Sequence, residues 1–335
     1  MESTIYLLSE SREDLLTEIL YATNSLGLAN SLKRGEILNE TFSDNEMSSS
    51  FKDYVKGKRV YLLSSFDNSD EIIRLNLAID AAKRARAVEI IPILPYFIYG
   101  RGDKRDQIRG PIGAKLMASM LENSGATSII GFDFHADQIQ GFFNIPVDHI
   151  EGKNVFVDYI ANLYDLNKIL CSPDPGGAKR VKRMVNQLKC DYDINIRYVT
   201  ISKTRSKANV VDEMFVLGDV VGKDVIIMDD ILDTAGTLCR AADTLISDGA
   251  KSVTAVITHG VLSGPAIVRI SNSQLTKVII SNSLKGSNAD FGSSANKFHI
   301  VSVAPQIGLV IASINNSLSY EELKEKYKCN HIKNK

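Results

Sequence analysis

The sequence predicts an α/β protein of two similar three-layer α/β/α domains with mainly parallel sheets. Three observations carry that expectation. Apolar runs of strand length alternate with segments of helical periodicity, the rhythm of parallel sheets covered by helices. The 335 residues suffice for two cores at roughly 100 to 200 residues per domain. HIEGKN at 149–154, polar and with a glycine, breaks the rhythm near the middle. These features place an N-terminal domain at 1–150, a C-terminal domain at 151–315, and a closing segment at 316–335 that is free to pack back on the first domain.

The elements follow in order. KRVYLLSS at 58–65 has strand composition, and EIIRLNLAIDAAKRARA at 71–87 brings Ile72, Leu75 and Ile79 to one helical face. VEIIPILPYF at 88–97 is a further strand. Its Pro92 points to a sheet edge or an early turn, because proline has no amide to give a ladder. The charged loop RGDKRDQIRG at 101–110 leads into a helix beginning near Pro111, where a first-turn proline loses no intrahelical bond. TSIIGFDFH at 127–135 is the next strand. The second half repeats the rhythm: KILCSPD, a glycine turn, AKRVKRMVNQLK, NIRYVTISK, KDVIIMDD, LCRAADTLISDG and KSVTAVITHG. Residues 281–298, rich in Ser, Asn and Gly, read as a surface loop. IGLVIASI at 307–314 reads as a helix or a buried strand, and 320–335 as a polar, frayed end.

Lys plus Arg number 39 against 40 Asp plus Glu, a formal net charge of −1. No global cationic field draws in nucleic acid, so anion recognition must be local. Cys171, Cys190, Cys239 and Cys329 lack metal-ligand spacing and read as reduced thiols of a cytoplasmic protein. The N-terminus lacks the pattern of a signal peptide, and no run is apolar enough to span a membrane, so neither secretion nor a membrane partner is expected.

The most informative stretch is VIIMDDILDTAGT at 225–237. Its apolar run ends on two adjacent carboxylates, Asp229 and Asp230, which repel each other and resist burial. The chain then turns through ILDTAGT into a helix that buries Leu238, Leu245 and Ile246 and stops at Gly249. Asp233 lies at the start of the turn. Amides of Thr234, Ala235, Gly236 and Thr237 can converge on a phosphate at the helix start, with Gly236 allowing close approach. The acid pair can meanwhile accept hydrogen bonds from vicinal sugar hydroxyls. The plainer reading is a strand, an acidic turn and a helix cap.

Other segments have functional and plain readings of the same kind. SPDPGGAKR at 172–180 puts Asp174, Gly176 and Gly177 at a strand end. Lys203 and Arg205 share one side if KTR is extended; they are otherwise exposed strand or loop charges. Arg101, Asp103, Lys104, Arg105 and Arg109 form a local cluster or a solvated turn. A lone His135 is an ordinary packed or surface residue, and in FSDNE at 42–46 Phe42 can cover a core while Asp44 and Glu46 solvate a turn.

The Asp-Asp-x-x-Asp-Thr-x-Gly-Thr pattern after a strand resembles the phosphoribosyl-diphosphate signature of type I phosphoribosyltransferases. With FSDNE, PYFIYGRGDKRDQIRGPIGAKL at 95–116, DFHADQIQGFFNIPVD at 133–148, SPDPGGAKR and KTRSKANVVDEM at 203–214, the resemblance is closer to the ribose-phosphate diphosphokinases, and it spans most of the chain. It implies a phosphoribosyltransferase-like fold and magnesium-dependent transfer of the β,γ-diphosphoryl group of ATP to the 1-hydroxyl of ribose 5-phosphate. By resemblance, Asp174, Gly176, Gly177, Asp229, Asp230 and residues 233–237 hold the sugar phosphate. Arg101, Asp103, Lys104 and Arg109 meet ATP, while Phe42, Asp44 and Glu46 recognise adenine across a subunit interface. Lys203 and Arg205 belong to a catalytic loop. His135 joins them as a positioning group and, with Asp133 and Asp174, stands near Mg2+. A homodimer with shared ATP sites, able to assemble further into a hexamer, is implied.

Some positions depart from the family. Gly102 stands where glutamine is usual, implying altered nucleotide affinity or purine selectivity. Asp137, Lys56 and an INNSLSY segment without paired arginines imply a weakened phosphate-activated, ADP-inhibited site. A nucleobase phosphoribosyltransferase and a catalytically weakened regulatory or structural paralogue stay open as alternatives.

Overall fold

The computed structural model describes residues 5–9, 11–28, 32–165, 167–204, 213–316 and 318–333. The chain divides into two compact units, Met1–Glu151 with Val303–Lys335, and Gly152–Ser302.

Unit 1 opens with β1 (Ile5–Ser9), α1 (Glu13–Thr23) and β2 (Leu32–Arg34), then a hairpin of β3 (Ile37–Thr41) and β4 (Met47–Phe51). It continues as β5 (Arg59–Leu63), α2 (Ser69–Arg84), β6 (Glu89–Leu94), α3 (Gly113–Ser124), β7 (Ile129–Phe132) and β8 (Val147–Ile150). Among the described residues its main sheet has six strands, ordered β2-β1-β5-β6-β7-β8 and parallel throughout. Helix α2 shows why the sequence folds as it does. Asn68 caps it by accepting from the Glu71 amide at 3.0 Å, Asp70 and Glu71 occupy the first turn, and Lys83 and Arg84 occupy the last. Ile72, Leu75 and Ile79 are buried, as their spacing predicts.

Strand order reverses between β1 and β5, the kind of switch point where open α/β sheets take ligands. In unit 1 the chain's own side chains fill it. Ser11 Oγ donates to Glu71 Oε2 at 2.7 Å and lies 3.0 Å from Ser65 Oγ, and Arg12 is fully buried behind Ser9.

Two local expectations change. Pro92 lies inside β6, which has neighbours on both sides, not at a sheet edge. The β6 to β7 ladder begins only after it, at Ile93↔Ile130, where the missing donor is tolerated. Pro111 precedes α3 rather than opening it: the helix starts at Gly113, and its Ala114 amide is taken by Gly102 O at 3.2 Å.

Unit 2 comprises α4 (Lys153–Leu163), β9 (Lys168–Ser172), α5 (Ala178–Tyr192), β10 (Tyr198–Thr204), β11 (Glu213–Leu217), β12 (Asp224–Leu232), α6 (Gly236–Ser247), β13 (Ser252–Gly260), α7 (Ala266–Ser271), β14 (Leu275–Ser281) and β15 (Phe298–Val301). Among the described residues its sheet has seven strands, ordered β11-β10-β9-β12-β13-β14-β15. The β10–β11 pair is antiparallel and the other pairs are parallel. Here the switch point falls between β9 and β12, the strands that lead to Asp174 and to the acid pair.

β12 does not end at Asp229 and Asp230 but runs on to Leu232. Its partner β13 is equally long and continues the ladder through Ile231↔His259 and Leu232↔Gly260. Residues 281–298 are not wholly a surface loop either. Ser281, Asn282, Ser283 and Leu284 are buried, and the Ser281 and Ser283 hydroxyls both donate to Thr258 O, which satisfies the polar groups inside.

The chain closes with α8 (Ala304–Asn315) and α9 (Tyr320–Lys333). IGLVIASI is thus helical, and α8 groups with unit 1, so the second unit ends at Ser302 rather than at 315. The reason is packing: Ile307, Leu309 and Ile311 are buried, and the missing side chain of Gly308 lets α8 approach α1, where a Cβ would lie 3.1 Å from Ala22 Cβ. Asn315 Nδ2 also donates to Tyr61 Oη at 2.8 Å. In the closing segment Leu323 is buried. Among the described residues no helix is long and apolar enough to cross a membrane.

Candidate active site

In unit 2 the acid pair occupies the sixth and seventh of the nine residues of β12. Asp230 is buried while the Asp229 side chain keeps 30% of its exposure, and the Asp230 amide donates to Asp229 Oδ1 at 2.9 Å. Arg180, on the first turn of α5, puts Nη1 3.5 Å from Asp230 Oδ1 and 3.9 Å from Asp229 Oδ1. Burial, and after it the neighbouring Asp230 charge, hold the Asp229 carboxyl well above the ordinary carboxylate range; Arg180 pulls the other way. The sequence reading passed over Arg180. Its signal was its place at the end of SPDPGGAKR, one helical turn past the glycines.

After Leu232 the chain turns through Asp233, Thr234 and Ala235 into α6. The left-handed residue is Ala235 (φ 61°, ψ 0°). The turn is braced from below: the amides of Leu262 and Ser263 donate to Leu232 O and Asp233 O, and Arg269 Nη1 donates to Thr234 O at 2.9 Å. No side chain caps α6, so the first amides of this helix face a position suited to an anion. A Cβ on Gly236 would meet Arg269 Nη1 at 3.5 Å and Thr234 Oγ1 at 3.9 Å, ordinary contact distances. The fold itself therefore tolerates a side chain there. Thr234 and Thr237 are exposed, Leu238 and Leu245 are buried, and Ile246 is only partly buried against the same core.

The turn after β9 lies across the switch point. Asp174 Oδ1 accepts from the Gly177 amide at 2.8 Å, and Ser172 Oγ donates to Asp174 O at 2.6 Å. Gly177 is closely approached: a Cβ would fall 2.7 Å from Ser172 Oγ, so that hydroxyl would have to turn from Asp174 O; at Gly176 the nearest atom would be 3.2 Å away. The Lys203 backbone pairs with Met214 near the end of β10. Its side chain, and the whole of Arg205, lie outside the described residues, as does their expected shared face.

In unit 1 the expected nucleotide segments lie at the carboxyl ends of neighbouring strands. Beyond β6, Tyr99 is left-handed (φ 61°), and Gly102 N donates to Tyr99 O at 2.8 Å. Arg101, Lys104, Arg105 and Arg109 are exposed, Asp103 is half-buried, and Lys104 Nζ lies 3.8 Å from Asp106. Gly102 fits closely: a Cβ would meet Tyr99 O at 3.3 Å and Gly113 N at 3.4 Å. Beyond β7, Asp133 is buried and His135 is exposed. A Cβ on Gly100 would lie 3.6 Å from His135 Cβ, so the turn leading to Arg101 and the turn carrying His135 are neighbours.

FSDNE forms the tip of the β3–β4 hairpin. The Phe42 amide donates to Glu46 O at 2.8 Å, and Asp44 Oδ1 accepts from the Glu46 amide at 3.1 Å. Phe42 is 51% exposed, with Asp44 and Glu46 exposed beside it. The reading of Phe42 as a residue covering its own core is overturned.

Among the described residues no group of three or more His, Cys, Asp and Glu is arranged to hold a metal ion. His135 offers a nitrogen and Asp133 a buried carboxylate, too little to complete the octahedral oxygen shell of magnesium. They fit an ion whose other ligands arrive on phosphate and as water.

The fold is that of the phosphoribosyltransferase-like α/β class. The profile described as the N-terminal domain of ribose phosphate pyrophosphokinase matches residues 7–125, and that of the phosphoribosyl synthetase-associated domain matches 194–323. The ribose-phosphate pyrophosphokinase of Aquifex aeolicus is 41% identical over 295 residues, covering 87% of this chain and 92% of its own. That of Porphyromonas gingivalis is 40% identical over 306 residues, covering 91% and 92%. The crystal structure of phosphoribosylpyrophosphate synthetase from Mycobacterium smegmatis superposes with a TM-score of 0.81 at 31% identity, covering 93% of this chain and 98% of that one. The chain belongs to the ribose-phosphate pyrophosphokinase family.

Proposed function

We propose that this chain transfers the β,γ-diphosphoryl group of magnesium-bound ATP to the 1-hydroxyl of ribose 5-phosphate, giving 5-phosphoribosyl 1-diphosphate and AMP. The observation that carries the reading, beside family membership, is the switch point of unit 2. There a carboxyl pair near the end of β12 and an uncapped helix start on α6 flank one short turn, with Ile231 and Leu232 between the pair and the turn. A sugar phosphate has the matching polarity, with vicinal hydroxyls for Asp229 and Asp230 and a phosphate for residues 233–237.

Asp174 and the Gly176-Gly177 turn complete the sugar side. In the transfer, O1 bonds to the β-phosphorus, the α,β-bridging oxygen leaves with AMP, and the hydroxyl proton passes to water. Such a step depends on alignment and charge stabilisation more than on a strong base. Lys203 and Arg205 supply cations to the charge that develops on the transferred group. Arg101, Asp103, Lys104 and Arg109 hold the nucleotide, while His135, with Asp133 and Asp174, orients its phosphates around Mg2+. The ion, when bound, neutralises phosphate charge and fixes phosphate geometry.

Phe42, Asp44 and Glu46 serve the adenine of a neighbouring subunit, in a homodimer that can build a hexamer. The support is a hairpin tip whose aromatic ring stands out from its own unit. The test is an assay of purified protein with ATP, ribose 5-phosphate and Mg2+, following AMP and phosphoribosyl diphosphate together. Equal amounts of both, dependent on ribose 5-phosphate, are expected. Release of ADP, or AMP formation without the sugar, would refute the reading.

A further inference from the structure

We propose that His149, on β8, is a positioning residue for this reaction: its ring accepts the Phe134 amide and thereby fixes the turn that presents His135. The inference rests on the role given to His135 above.

The argument begins with register. β7 and β8 are parallel, with Gly131 opposite His149 and Phe132 opposite Ile150. Just past β7 the chain reverses at Asp133, whose φ of 41° is unusual for a residue with a side chain. Its amide is held by Ile150 O at 2.8 Å. The reversal lays the Phe134 ring back over Gly131, so closely that a Cβ on Gly131 would fall 2.1 Å from Phe134 Cζ. Glycine is needed in mid-strand for this reason.

Folded back in this way, Phe134 meets His149 twice. The rings stack with centroids 4.8 Å apart and planes 14° from parallel, and the Phe134 amide donates to His149 Nε2 at 2.9 Å. An Nε2 that accepts leaves the ring proton on Nδ1. There the Gln140 side-chain Nε2 lies 3.2 Å away and also donates to Asp137 O at 3.1 Å; for Gln140 to accept the Nδ1 proton its amide turns over and gives up that bond. Phe134 is in turn locked into the core by Phe97, at 5.1 Å between centroids.

The next residue is His135, exposed and beside the Gly100 turn. The backbone direction at 133–135 decides where that imidazole points. A His149 that holds the middle amide, while Ile150 O holds the one before it, fixes the direction from the neighbouring strand. A misplacement of the presenting turn reaches the reaction through alignment, which costs turnover before it costs sugar binding.

Two variants separate the hydrogen bond from the stack. His149→Phe keeps an aromatic ring against Phe134 but has no acceptor; His149→Gln loses the ring but carries an acceptor of similar reach. With the parent forming AMP in a ribose 5-phosphate-dependent manner, His149→Phe is expected to lower kcat by about 10-fold or more and leave KM for ribose 5-phosphate within about threefold. His149→Gln is expected to recover kcat to within about threefold of the parent. Parental turnover in His149→Phe, or no recovery in His149→Gln, overturns the inference. A parent that forms no AMP overturns the functional reading instead. Independently of whether either variant folds, long-range 15N–1H correlation of the parent's labelled histidines reports the tautomer of His149. The Nδ1–H form is expected, and an Nε2–H form excludes the proposed bond.

Discussion

Arg180 Nη1 lies 3.5 Å from Asp230 Oδ1, setting a cation from α5 against the more buried of two adjacent carboxylates on β12. The pair is held together at a cost that the fold does not need, because burial and the Asp230 charge raise the Asp229 pKa above its unfolded value. A carboxyl raised in this way contributes stability that is full below the unfolded pKa and is lost as pH rises through the folded one. Asp229→Asn should therefore stabilise the ligand-free protein increasingly as pH rises above the ordinary carboxylate range, with Tm gaining roughly 2 to 4 °C for each kcal/mol relieved. Activity should fall at the same time. Melting curves of parent and variant between acid and neutral pH check the sign; a Tm difference that shrinks with rising pH contradicts it.

Gly236 separates fold from binding. A methyl there meets Arg269 and Thr234 at ordinary contact distances and sits on the first helical residue, where alanine's preference over glycine is smaller than the helix-interior value of about 1 kcal/mol. Gly236→Ala should keep or slightly raise Tm yet raise KM for ribose 5-phosphate by roughly 10-fold, a loss of about 1.4 kcal/mol, by occupying the approach of the phosphate. Unchanged KM would remove the phosphate from this turn.

Lys203 stands at the end of β10, paired through its backbone with Met214. A cation used for developing charge acts mainly in the transition state. Lys203→Ala should lower kcat by roughly 100-fold or more while KM for ribose 5-phosphate changes by less than about fivefold. Steady-state kinetics with each substrate varied in turn distinguish this from lost ground-state binding.

The exposed Phe42 at the hairpin tip predicts that sites are shared between subunits. Phe42→Ala and Lys203→Ala should each be nearly inactive alone. Mixed and allowed to exchange subunits, they should regain roughly a quarter of parental activity, because random pairing leaves some sites with both residues intact. No recovery in oligomers shown by mass to be hybrids would place the adenine contact within one chain.

Much of this protein is legible in its sequence. The alternation of apolar runs and amphipathic helices gives two α/β units because burying one face of each element leaves few other solutions. The 229–237 stretch marks a ligand turn because adjacent acids before a glycine-bearing helix start oppose stability unless something uses them. Pro92 misled because a proline is excluded from a ladder only where its amide is needed, and the neighbour's register decides that. The turn's left-handed residue, Ala235, was not legible: local preference disfavours that conformation for alanine, and the braces from Arg269 and residues 262–263 impose it.

The sequence by itself determined the strand–helix alternation through much of residues 58–260, the mainly parallel sheets and the motif residues, since periodicity and turn chemistry act between near neighbours in the chain. Only tertiary structure decided that α8 joins unit 1, that Arg180 faces the acid pair, and that His149 receives the Phe134 amide. These are contacts between residues distant in sequence, and their geometry comes from strand register and packing, which no local pattern encodes.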